Sequence, residues 1–259
     1  MKKSAFIFGL AALSAAPLMA VQGTISTEVD SKTGDIKWQP RSKSYIVTYK
    51  MKGSKGDVNS EYPLGDVTDL QIPKPATFDK AVEMVEKGQG AAAIGTLSKI
   101  VSEYRMLNWD KVAGRYLVLA YLAANQAQKA MDTCSTIINE DKTAAYRGDL
   151  AFAYWQTLLK LGKTTQLESV LKKAVSSGDR AASAAALVMR GDIMLATQKE
   201  TPDLYKQALR DAYLRVVLMY NQPECVREQA DAMIKAANCF DKLGQAARAE
   251  QLRTKAKSL

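Results

Sequence analysis

Thirty-seven residues separate three short segments that share one pattern of small and apolar side chains. They are Ala93-Ile94-Gly95-Thr96-Leu97-Ser98-Lys99-Ile100, then Ala130 to Ile137, then Leu167 to Ala174. In each, a small or apolar residue is followed by an apolar or small one four positions on, and by another three after that. That spacing puts all three on one face of a helix. Five residues ahead of each segment stands a turn former: Gly88, Asn125 and Gly162. Ahead of the turn, a second set recurs at helical spacing: Ala81 and Met84, Val118 and Tyr121, Trp155 and Leu158. The repeating unit is therefore helix, turn, helix. One such pair cannot bury its apolar stripe alone, so successive pairs must stack.

The pattern runs from Thr77 to the C-terminus, and residues 76–259 form one helical domain. Its last unit carries Met233, Ala237 and Phe240 before Gly244, with Ala249 and Ala256 after it. A longer unit precedes this one. Its first helix holds Leu187, Gly191 and Met194, its second Ala208 and Ala212, and its connector is Lys199-Glu200-Thr201-Pro202-Asp203. A first helix with small and aromatic positions, a glycine turn, and a second helix with alanine and an apolar residue four later resembles the tetratricopeptide repeat. The period departs from that family's ~34 residues, and no unit shows the full consensus. The resemblance implies about five helix pairs in a right-handed curved stack. It implies recognition of a protein or peptide partner in a concave groove lined mainly by first helices. Matching the register, the groove positions are Arg115, Phe152, Gln156, Asp192 and Asn238. The alternative is a structural subunit of a cell-envelope complex whose groove binds no peptide.

Residues 21–75 follow a different rule. Short stretches alternate apolar and polar residues at 23–29, 35–38, 45–49, 59–64 and 67–72. Turn-forming residues separate them at 33–35, 53–57 and 64–66. Period-two alternation bounded by turns predicts antiparallel strands. Five short strands suit a small all-β module, an SH3-like barrel or a sandwich. Ile72-Pro73-Lys74-Pro75 reads as a stiff linker, because proline fixes its own φ and restricts the residue before it. The fold class is thus α+β, with a small β module followed by a helical-hairpin solenoid.

The first twenty residues read as a signal peptide. Lys2 and Lys3 precede an apolar run from Ala5 to Ala16, and Ala20 offers a cleavage point before Val21. The run is shorter than the ~20 apolar residues that span a bilayer. No cysteine lies near the cleavage point to carry a lipid. The expectation is export to the bacterial periplasm or beyond, with no membrane span in the mature chain. The formal charge of +9 falls to +7 without the two leader lysines. Scattered at helical spacing, that excess serves solubility. Export and scatter together argue against nucleic acid as a partner.

Histidine is absent from all 259 residues. That removes Ser-His-Asp and Cys-His catalysis and histidine metal sites. Nothing marks a carboxylate pair for catalysis, so no enzyme, cofactor or metal site is expected. Cys225 and Cys239 fall on one predicted helix, about 21 Å apart at 1.5 Å per residue, too far for a disulfide. Buried free thiols are expected instead. Two Arg-Gly-Asp tripeptides, at 147–149 and 190–192, read as a capped helix start and a mid-helix glycine. Tyr116, Tyr121, Tyr154 and Trp155 read as packing between repeats. Intact-mass measurement of exported protein is expected to give a chain beginning at Val21; a chain retaining Lys2 and Lys3 overturns the leader.

Overall fold

Five strands follow one another from residue 21 in a computed structural model that describes residues 20–51, 53 and 56–259. The leader, apart from Ala20, lies outside the described residues. The strands are β1 (Val21–Thr27), β2 (Ser31–Gln39), β3 (Ser44–Lys50), β4 (Asp57–Pro63) and β5 (Val67–Gln71). They make one antiparallel sheet in the order β4-β3-β2-β1-β5. β4 and β5 therefore sit at opposite edges, yet only the 3-10 turn Leu64–Asp66 joins them. In a flat five-stranded sheet those edges stand ~19 Å apart, at ~4.8 Å per strand. A three-residue 3-10 turn advances only ~6 Å. The sheet must therefore curl where β4 hands over to β5, and the whole is the small all-β module expected from the alternation.

Alternate residues point inward, as period two requires. Ile25, Ile36, Trp38, Tyr45 and Val47 are at least 96% buried. Trp38 and Tyr45 face each other across β2 and β3 with ring centroids 5.0 Å apart. Gly34 admits a close approach of β3: a Cβ there would lie 2.4 Å from the Thr48 carbonyl oxygen.

A second unit runs from Lys74, and the division falls between Pro73 and Lys74. Its helices are α1 (Phe78–Glu86), α2 (Gly90–Glu103), α3 (Trp109–Ala123), α4 (Ala127–Glu140), α5 (Asp149–Lys160) and α6 (Thr164–Val175). Then come α7 (Arg180–Thr197), α8 (Pro202–Ala208), a π turn (Leu209–Tyr213), α9 (Leu214–Met219), α10 (Val226–Lys242) and α11 (Ala246–Lys257). With α8, the π turn and α9 taken as one rod, these are five hairpins among the described residues. First helices pack on first helices: α1 on α3, α3 on α5, α5 on α7, and α7 on α10.

Four hairpins turn by one device. Gly88, Asn125, Gly162 and Gly244 have φ of 76°, 56°, 65° and 72°. The next residue's N–H then reaches back to a carbonyl five positions earlier: Gln89 to Met84, Gln126 to Tyr121, Lys163 to Leu158 and Gln245 to Phe240, at 2.7–2.9 Å. This left-handed cap satisfies carbonyls that the helix end leaves free. The long connector works differently. Thr201 accepts a bond from the Leu204 N–H, and Pro202 fixes the first turn of α8.

The repeated alanine, leucine and cysteine positions form the core. Ala93, Leu97, Ala130, Cys134, Leu167, Leu171 and Ala249 are fully buried. All three cysteines are free and buried. Cys225 immediately precedes α10 and Cys239 lies within it. Burial pushes the Cys134 thiol up to about 12 and the Cys239 thiol up to about 11, so neither is a ready nucleophile at neutral pH. Ala130→Glu is expected to abolish cooperative melting of the helical unit. An unpaired buried charge costs several kcal/mol, against a total stability of ~5–15 kcal/mol. A melting curve unchanged from the parent's would show that the α4 register is wrong.

Candidate functional site

The first helices of four successive hairpins open onto one cavity of about 570 Å³. α3 contributes Arg115. From the start of α5 come Gly148, Asp149, Ala151, Phe152 and Trp155. α7 adds Asp179, Ala181, Ala182, Ala185 and Val188, and α10 adds Arg227, Glu228 and Asp231. No lining residue belongs to a second helix. Pairs three and four apart recur among them, such as Asp149 and Phe152, Ala151 and Trp155, Ala181 and Ala185, and Arg227 and Asp231, so α5, α7 and α10 each turn one side to the cavity.

The floor is apolar. Trp155 is 1% exposed, and its indole N–H donates to the Ala145 carbonyl at 2.9 Å. Phe152 meets it edge-on, with centroids 6.3 Å apart. Val188 completes the floor. The alanines of α7 make the depth, because short side chains on a helix leave room that Leu or Phe would fill.

The rim is charged. The Asp179 carboxylate caps α7 by accepting from the Ala182 N–H at 2.9 Å. Asp231 takes an ion pair from Lys235 at 2.9 Å. The Arg115 guanidinium lies 5.4 Å from the Tyr116 ring centre. Arg115, Asp149, Arg227 and Glu228 make no ion pair with a described residue. Uncommitted charges of both signs around an apolar floor can hold a ligand by burial and orient it by charge.

The groove positions expected from the repeat register do not all meet here. Arg115 and Phe152 share the cavity. Gln156 is half-buried one turn further along α5, and it is not a lining residue. Asp192 accepts from the Tyr213 hydroxyl at 2.8 Å and from Lys235 Nζ at 2.6 Å. Asn238 is exposed on α10 and accepts from Arg253 of α11 at 3.1 Å. Ala181, Ala185, Val188, Glu228 and Asp231 were not anticipated. The run of alanines from Ala181 to Ala186, interrupted only by Ser183, was the available signal.

Tyr154 and Trp155, expected as packing residues, are at least 95% buried. The second Arg-Gly-Asp lies inside α7, and the first leads into α5 at Asp149. Gly191 is there for contact: a Cβ would come within 2.6 Å of the Tyr213 ring. Lys235 is held between Asp192 and Asp231. Burial opposes its charge, but hydrogen bonds to both carboxylates outweigh that and raise its pKa. Burial, followed by the charge of Asp192, raises that of Tyr213. Among the described residues, no helix is long and apolar enough to cross a membrane. No three His, Cys, Asp or Glu side chains among them gather as a metal site.

No protein-family model matches the chain, and no curated protein matches it. Among solved structures, it is similar to a crystal structure of the nearly identical TPR-like repeats of a Podosopora anserina kinesin light chain, in a form carrying one substitution. Identity is 14%, the match covers 71% of this chain and 92% of that one, and the TM-score is 0.45. A second crystal structure of those repeats matches with 13% identity, the same coverage and a TM-score of 0.44.

Asp192→Ala strands the buried Tyr213 hydroxyl. It is expected to cost ~1–3 kcal/mol, the penalty for an unmade bond at a buried group. Adding Tyr213→Phe should recover part of the loss, because the orphaned donor is then gone. A double mutant no more stable than Asp192→Ala would show that the hydroxyl bond does not hold α7 to the π turn. Both raised pKa values make their contribution complete below the unfolded values of ~10, so stability is expected to fall as pH rises beyond that range.

Proposed function

We propose that this chain is an exported scaffold that binds a protein or peptide segment on the face formed by its first helices. One observation carries the reading: a recess with an apolar floor and uncommitted charges is built from first helices alone. A stack of hairpins gives such a face rigidity, because each helix is held by its neighbours, and a rigid surface loses little entropy on binding. The absence of histidine from the sequence supports binding over hydrolytic chemistry. Export rests on the leader pattern of residues 1–20, and it directs the search for a partner to the cell envelope.

The alternative, a structural subunit of an envelope complex, has one feature in its favour. Leu218 and Met219 at the end of α9 are 76% and 60% exposed, and neither lines the recess. Paired charge reversals separate the two. Arg115→Glu alters the recess, whereas Lys172→Glu alters an exposed position on the second helix α6. Lys172 is exposed, where single substitutions usually shift stability by no more than ~0.5 kcal/mol; Arg115 is half-buried, so its variant is compared once its melting matches the parent's. Pull-down from envelope extract is expected to lose partner with Arg115→Glu and keep it with Lys172→Glu. Equal recovery by both variants removes the recess from consideration and favours a structural role through another surface.

A further inference from the structure

We infer that the recess seats an uncharged, bulky aliphatic or aromatic side chain of a partner segment, in binding that burial drives and salt does not weaken. The inference rests on the binding role proposed above and adds the chemistry of the occupant. The size comes from the cavity. About 570 Å³ lies within the ~300–1,000 Å³ range of sites that enclose a ligand. Phe152, Trp155, Ala185 and Val188 give that space an apolar base, so an apolar group gains by entering it.

The neutrality comes from the charges around that base. Four lining carboxylates, Asp149, Asp179, Glu228 and Asp231, stand against two guanidinium groups, Arg115 and Arg227. Lys235 does not alter this surplus of two negative charges, because it is shared with Asp192, which brings its own charge. Three helices begin at the recess. Asp149 is the first residue of α5, Asp179 caps α7, and Glu228 lies in the first turn of α10. Each N-terminus carries a partial charge of about +0.5, so the three together offset about one and a half of the surplus. Both signs also alternate along the stack, with Arg115 on α3, Asp149 on α5, and Arg227 next to Glu228 on α10. A charged group entering the recess would shed its water and meet attraction and repulsion together. An uncharged side chain has no such cost, and its burial decides the affinity. Arg115→Glu upsets this balance by two charges, and an arriving segment would then have to desolvate the excess carboxylates.

Selection of a displayed random-peptide library on the full chain tests this. Enriched peptides are then measured by fluorescence polarisation on the parent and on Ala185→Trp, with folding checked by circular dichroism. The measurement is made at ~0.1 M and at ~1 M sodium chloride, between which the screening length falls from ~10 Å to ~3 Å. Ala185 is half-buried in the recess, so tryptophan there fills the space a ligand would use. The expected enrichment is a bulky apolar residue with no charged residue at a fixed distance from it. Affinity for the parent should fall by less than about threefold between the two salt concentrations. Ala185→Trp should weaken these peptides about tenfold or more, the scale of lost apolar complementarity. If Ala185→Trp does not fold, Phe152→Ala removes the floor instead, with the same loss expected. Peptides that a floor variant weakens, but that share a fixed charged residue or lose more than about threefold in high salt, would overturn the neutrality and leave the binding role standing. Enrichment indifferent to the floor variants, or no enrichment, would overturn both. So would self-association of the parent that Ala185→Trp abolishes.

Discussion

A helical hairpin in this chain has an apolar stripe wider than its own two helices can cover, and the rest of the helical unit follows from that deficit. Each pair leans on the next: the first helix of one pair packs against both helices of the pair before it. The core is correspondingly continuous. One buried cluster spans α1 to α3, another α3 to α7, and a third α7 to α11. Partly buried residues such as Val101, Tyr121 and Val175 belong to two clusters at once. Stability in such an array comes largely from neighbour interfaces, so a charge placed in one interface is felt by two repeats.

The stacking also decides where a binding surface can lie. Second helices pack between their own first helix and the next one, while the first helices also meet one another and share a face. The recess forms where that shared face carries alanine instead of leucine. At α7 the small residues do two jobs. Ala181 and Ala185 leave the recess open, and Gly191, further along the same helix, admits the ring of Tyr213. The π turn of the long unit carries Tyr213 against this helix. Its hydroxyl and Lys235 together occupy Asp192. A carboxylate that the repeat register assigns to a groove is thereby drawn into an interface. Insertions of this kind in helices often mark a local departure from the regular packing rule.

The β unit illustrates the same economy in another geometry. Its strands are too few to bury a flat face, and a three-residue turn between the edge strands forces the sheet to curl. Paired glycines at positions 23 and 34 let the strands bend where side chains would collide.

The sequence by itself determined the architecture of both units, because architecture depends on periods that survive in one dimension. Alternation at residues 21–72 marked five strands, a 37-residue recurrence marked three hairpins with turns at Gly88, Asn125 and Gly162, and the last unit repeated their form around Gly244. Those turns need a left-handed residue, and glycine or asparagine announces one. The recess was only partly legible. Arg115 and Phe152 followed from register, since they sit on first helices in regular repeats. Asp192 and Asn238 did not, because their fate was set by partners 21 and 15 residues away, Tyr213 and Arg253, that no period relates to them. Only the tertiary structure decided which charges are consumed in interfaces and which remain free. Electrostatic and hydrogen-bond pairing depends on distances of a few ångströms between separate helices, and a sequence pattern carries no record of them.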